Sequence, residues 1–199
     1  MLKKLFGKFQ YNAPAILTLT LLCAASLGLN YLTGGWTNKY IFSVYRTRLT
    51  DPMQYVRMIT YVIGHADYAH FLGNFTVILL VGPMLEEKYG SKVLLKMMAF
   101  TAIVTGVVHV ILSSDTALLG ASGIAFMLIL LSSFANAQKG RIPITLILVT
   151  VIYLGGEIIA GLTAPNDNIS QMGHIIGGIC GTVFGLAITK PAKGQVLSA

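Results

Sequence analysis

Two short segments far apart in the chain carry the residue types of a nucleophile and its base. Gly120-Ala121-Ser122-Gly123 opens the apolar run Ile124 to Leu131, and Gly173-His174-Ile175-Ile176-Gly177 opens the run to Ile188. A serine hydroxyl is weak alone and needs an adjacent base, for which a neutral imidazole is the usual choice. Glycines on both sides of Ser122 allow a tight turn and close approach of a substrate backbone. A helix starting here would aim its unpaired N–H groups at a developing oxyanion. Taken alone, the tetrapeptide reads more readily as an N-cap serine than as a nucleophile, and His174 has the alternative of a hydrogen-bonding link between helices. Polar side chains just inside apolar helices are costly unless used, which favours reading the two segments as one site.

His70 and Asn74 are four residues apart and so share a helical face. Both can donate hydrogen bonds into one cavity, which suits an oxyanion hole. His65 lies five residues earlier and reads as a buttress of the preceding loop. A metal centre on His65, His70 and His174 lacks an H-E-x-x-H motif, and the only nearby carboxylate is Asp67. No metal and no cofactor are therefore assigned. Glu157 is the only acid well inside an apolar run, and its register with His174 is open. A Ser122–His174 dyad is the simpler assignment. His109 and the Glu86-Glu87 pair read as structural, the pair as a cap for loop backbone.

These residues need elements to hold them, and composition restricts the choice. Fifty-five per cent of the 199 residues are hydrophobic and 11% are charged, too much apolar surface for a soluble core of this size. Several runs approach the ~20 residues that cross a bilayer. The chain reads as an all-α polytopic membrane protein, one domain over 1–199, with spans near 14–32, 67–87, 93–112, 122–137, 142–163 and 171–189. The one long connection, Thr33 to Ala66, mixes Trp36, Tyr40, Ile41, Phe42 and Tyr45 with Lys39, Arg46 and Arg48, a pattern expected in the membrane interface. The first run follows Lys3, Lys4 and Lys8 without a clear cleavage site, so a retained helix is expected. Cys23 and Cys180 both fall in spans, which argues against a disulfide. The net charge of +7 is scattered between apolar runs, so the basic residues flank a membrane rather than bind nucleic acid.

Lys and Arg also set an orientation. With a cytoplasmic N-terminus, the inside segments hold Lys3, Lys4, Lys8, Lys88, Lys92, Lys96, Lys139, Arg141, Lys190 and Lys193. The outside holds only Lys39, Arg46, Arg48 and Arg57, which favours both termini inside. The second, fourth and sixth spans then start outside, placing His70, Asn74, Ser122 and His174 at one depth in the outer half of the membrane. From Ser122 to Ala137 the fourth span is about 24 Å long, against a hydrocarbon core of about 30 Å. With Lys139 and Arg141 fixing its inner end, Ser122 is expected on the floor of a water-filled depression. Gly177, Gly178 and Gly181 follow His174 as a small-residue stripe, which lets two membrane helices approach closely.

His65-Ala66-Asp67-Tyr68-Ala69-His70-Phe71-Leu72-Gly73-Asn74, Glu86-Glu87-Lys88-Tyr89-Gly90-Ser91, Gly120-Ala121-Ser122-Gly123 and Gly173-His174-Ile175-Ile176-Gly177 with Gly181 together resemble the rhomboid family of intramembrane serine proteases, in its basic six-helix prokaryotic form. The likeness runs from about Arg57 to Gly181. It implies that Ser122 is the nucleophile and His174 the base and acid. His70, Asn74 and the Ser122 N–H would hold the oxyanion, and Gly120, Gly123, Gly177, Gly181 and His65 would support the site. It further implies transmembrane protein substrates, cut near the outer face of a cell (inner) membrane after entering between the second and fifth helices. Two departures stand out. Val56-Arg57 replaces a frequent Trp-Arg pair in the first loop, and Phe126 replaces a tyrosine that stacks on the histidine. A rhomboid-like pseudoprotease that binds membrane clients without cutting them is the alternative, opposed by the presence of all four polar residues. A transporter would show matched repeats or broken helices, and neither is evident.

Overall fold

Several apolar runs begin at a proline or an aspartate suited to a helix start, and the computed structural model builds helices from those points. It describes residues 9–112, 116–135, 137–138, 141–156, 159 and 171–189. Glu157 and the lysines at 3, 4, 8, 139, 190 and 193 lie outside the described residues, so the readings placed on them have no counterpart here.

Helix α1 runs Pro14–Leu32, with a proline in its first turn where no backbone donor is lost. The first connection is not one irregular loop. It contains a short α2 (Trp36–Tyr40), an α3 (Pro52–Thr60) capped by the Asp51 side chain on the Met53 N–H, and a single 3-10 turn over Tyr61–Ile63. On α3 the usual amphipathic sense is reversed: Gln54 and Arg57 are buried, while Tyr55, Val56 and Ile59 are exposed. That inversion suits a helix lying against lipid, as expected for an interfacial segment. Arg57 secures the connection by itself. It is 4% exposed, pairs with Asp51 at 2.8 Å, and lies 4.3 Å over the Tyr45 ring. Val56 is on the surface and takes no part in this anchor.

Helices α4 (Tyr68–Tyr89) and α5 (Ser91–Leu112) follow, turning at Gly90. The Glu86 carboxylate, near the end of α4, accepts the N–H groups of Ala15 (2.8 Å) and Ile16 (3.0 Å). The acid read as a loop cap therefore caps the start of α1, and it brings that start to the same end of the bundle as the α4–α5 turn. Helix α6 (Ser122–Ser132) is central. Ile124, Met127, Leu128, Leu130 and Leu131 are all nearly inaccessible, so it is apolar all round. Helix α7 (Ile144–Val149) continues into a π-helical turn over Thr150–Leu154, and α8 runs Gln171–Thr189.

Among the described residues, α1, α4, α5 and α8 are long and apolar enough to cross a membrane, while Ser122–Ser132 and Ile144–Leu154 are shorter apolar helices. No strand is present among them beyond a single bridge, Val44 with Leu118. The chain is a helical membrane protein. Helix α6 is shorter than the run to Ala137 suggested. It ends at Ser132 because the Ser133 and Phe134 N–H groups turn back onto Leu130 and Leu131. The Lys88 ammonium takes the carbonyls of Phe134 and Ala135. At 11 residues, α6 is only about 16 Å long.

Candidate active site

Asp67 starts the site. Its carboxylate caps α4 by accepting the His70 N–H at 2.8 Å, which fixes His70 and Asn74 on the first two turns. The Ala66 N–H points at His70 Nδ1 (3.5 Å). With Nδ1 as acceptor, the proton of the neutral ring belongs on Nε2. That Nε2 faces Gly120: a β-carbon there would lie 2.7 Å from it and 3.5 Å from Asn74 Nδ2. Gly120 also holds φ +117°, so both its backbone and its neighbours require glycine.

His65 is fully buried and does buttress, but its partner is the site itself. Its Nδ1 lies 3.2 Å from the Ile63 carbonyl and its Nε2 lies 3.1 Å from Asn74 Nδ2. Nδ1 donates to the carbonyl, leaving Nε2 to accept from the amide. Asn74 keeps a second N–H beside Gly120. Burial first, and then the neighbouring His70 imidazole, hold His65 down to about 4, so its ring is neutral near pH 7. Both of its nitrogens are engaged, which removes it as a metal ligand. Asn38 Nδ2 donates to the His65 carbonyl at 2.7 Å and ties this group to α2.

Ser122 is the first residue of α6 and 8% exposed. The cap position belongs to Ala121, whose side chain makes no cap hydrogen bond. The N-cap reading of Ser122 therefore gives way to a serine on the first turn of a helix whose cap residue offers no side-chain acceptor. The segment before it is strapped down by backbone: Gly120 N–H donates to the Tyr61 carbonyl (2.9 Å), and Val44 and Leu118 exchange bonds of 2.8 and 2.9 Å.

His174 meets α6 one turn beyond the serine. Its ring stacks on Phe126 with centroids 4.3 Å apart and planes within 5°, and Phe126 follows Ser122 by four residues, on the same face. Close approach of the two helices is a matter of glycine. A β-carbon on Gly177 would be 2.8 Å from the Gly123 carbonyl carbon, and one on Gly181 would be 3.0 Å from that of Met127. Gly178 faces elsewhere, onto the Leu154 side chain. The stripe that matters repeats every four residues, from Gly173 through Gly177 and Gly181 to Gly185, which packs on Phe134. Residues four apart stay near one face, whereas Gly178, next to Gly177 in sequence, lies about 100° round the helix.

The family model for the rhomboid domain matches residues 52–191. The chain belongs to the rhomboid family. A search of curated proteins finds no match. Rhomboid proteins are generally serine proteases that act on transmembrane substrates, and the matched region contains every residue assigned to this site. Three further residues support the site, in roles that the sequence did not assign to them. Asp67 was legible as an aspartate opening an apolar helix. His109 Nε2, 3.0 Å from the Thr116 carbonyl, and Arg46, which donates to the carbonyls of Val110 (2.7 Å) and Ile111, hold the segment leading to Gly120. Nothing in their local spacing announces that task.

Proposed function

We propose that this rhomboid protein is an intramembrane serine endopeptidase working through a Ser122–His174 dyad. The stack of His174 on Phe126, one turn from Ser122, carries the reading. Ser122 Oγ attacks the scissile carbonyl carbon while its proton passes to the His174 imidazole. The carbonyl oxygen becomes an oxyanion, held by His70 Nε2–H, the free Asn74 N–H and the Ser122 backbone N–H. Collapse breaks the C–N bond, and the imidazolium returns its proton to the departing amine. Water, deprotonated by His174, then hydrolyses the acyl-enzyme and restores the serine.

The substrates are transmembrane proteins, cut near the outer face of the cell membrane. The chain crosses six times, the short α6 and α7 being the fourth and fifth passes, and both termini face the cytoplasm. A central helix of about 16 Å covers only about half of ~30 Å of hydrocarbon, which supports water reaching its Ser122 end. The test is cleavage of a model transmembrane substrate in proteoliposomes. Ser122→Ala and His174→Ala each abolish cleavage while the chain keeps its thermal stability, and a fluorophosphonate labels wild type at Ser122. Undiminished cleavage by Ser122→Ala, with contaminants excluded, defeats the dyad. Client binding without cleavage by wild type marks a pseudoprotease.

A further inference from the structure

A cavity of about 170 Å³ opens between α1 and α5, on no part of the proposed dyad. Its walls are two helical stripes: Ala15, Leu19 and Leu22 on α1, and Leu95, Ala99 and Ala102 on α5. Spacings of three and four keep each stripe on one face. One end is blind. Ile59 and Val62 close it, and bonds from Tyr61 Oη to the Ala102 carbonyl (3.1 Å) and from Cys23 Sγ to the Val62 carbonyl (3.6 Å) tie that plug to both walls.

The other end is basic. One step back along the α5 stripe from Leu95 is Lys92, with Lys96 beside it. Both are exposed, and neither forms a salt bridge among the described residues. Lys92 to Ala102 spans about 15 Å, half of a ~30 Å hydrocarbon core and thus the depth of one leaflet. The lining has one hydroxyl, Thr18, already bonded to Tyr11 Oη at 2.9 Å. Water finds too few partners in such a cavity, and a helix about 10 Å across is too broad for it. A single hydrocarbon chain with an anionic head fits both the slot and the charge at its mouth.

We propose that this groove binds one anionic phospholipid, its acyl chain between α1 and α5 and its phosphate at Lys92 and Lys96. The site extends beyond the protease reading and does not depend on it. The full chain is reconstituted in phosphatidylcholine vesicles containing phosphatidylglycerol with a photoreactive acyl chain, or the matching phosphatidylcholine probe. Adducts are then mapped by peptide mass. They fall on 15–22 and 95–102, and phosphatidylglycerol is favoured about fivefold per lysine engaged, the ratio given by ~1 kcal/mol for a basic residue near an anionic surface. Lys92→Gln with Lys96→Gln removes the preference but keeps the adducts. Ala99→Phe fills the slot and removes them with both probes, and Leu22→Trp does so from the opposite wall, each in a chain of unchanged melting temperature. Adducts spread evenly around the bundle, or undiminished in both filled variants, overturn the site. Equal yields of the two probes overturn the anionic head, and chain-to-chain cross-links on this face assign it to a second copy. The same labelling is read on the Ser122→Ala chain, so its outcome is separate from that of the dyad.

Discussion

The imidazole of His174 lies flat on the ring of Phe126, 4.3 Å away and nearly parallel. This contact joins the two halves of the site. It also accounts for a departure from the family pattern. Orienting the imidazole needs a ring face, which phenylalanine provides without the tyrosine hydroxyl.

Phe126→Tyr is accordingly expected to cleave at close to the wild-type rate. Phe126→Leu keeps the bulk and loses the face, and an aromatic pair is worth about 0.5–1.5 kcal/mol beyond its area. A fall in kcat of roughly tenfold with KM little changed is the expected result in steady-state cleavage assays. An equal loss in both variants would show that the stack does not orient the base.

Gly177→Ala drives a methyl group into the Gly123 backbone, which has no side chain to move aside. Overpacking of this kind costs about 1–3 kcal/mol, and thermal unfolding in detergent reads it directly. Gly178→Ala is the control. Its new methyl meets only the end of the Leu154 side chain, which can shift, so the loss there is smaller.

His65 gives the fold an acid limb. Its ordinary value of 6.5 is pulled down to about 4 in the folded chain. Between those values the unfolded chain holds a proton that the folded chain does not, so stability falls as pH drops through the window and is complete above it. The full difference is on the order of 3 kcal/mol. Protonation would also end the acceptance of Asn74 Nδ2 by Nε2. Melting temperatures at pH 7, 5.5 and 4.5 should decline for wild type and decline less for His65→Gln. Parallel slopes would remove His65 as the cause.

Glu86→Ala leaves the Ala15 and Ile16 N–H groups without their acceptor at a nearly inaccessible position. Each orphaned donor costs about 1–3 kcal/mol. Glu86→Gln retains one oxygen and should lose about half as much in the same unfolding assay. An unaltered melting temperature in Glu86→Ala would mean that α1 starts without help from α4.

The polar core of the site was legible because its parts lie within single helices. His70 and Asn74 are one turn apart, and glycines surround both Ser122 and His174. Relations that cross the fold were not legible. The end of α6 depends on Lys88, from a different helix, taking carbonyls at Phe134 and Ala135. A run that stays apolar to Ala137 gives no hint of it. The split of the glycines, with Gly177 and Gly181 on α6 and Gly178 on Leu154, emerges only once a third helix occupies the other face. His65 and Asn74 are nine residues apart across a turn, so no helical spacing pairs them.

Ala121 occupies the position where most helices place an oxygen, a substitution that elsewhere costs about 1 kcal/mol. The start of α6 thus has no oxygen from its own cap residue, beside a serine that is only 8% exposed. An oxyanion formed at Ser122 would supply the missing acceptor. On the protease reading, the reaction's high-energy species is also the residue this helix lacks. Stability forgone in the ground state then becomes affinity for a structure that exists only during catalysis.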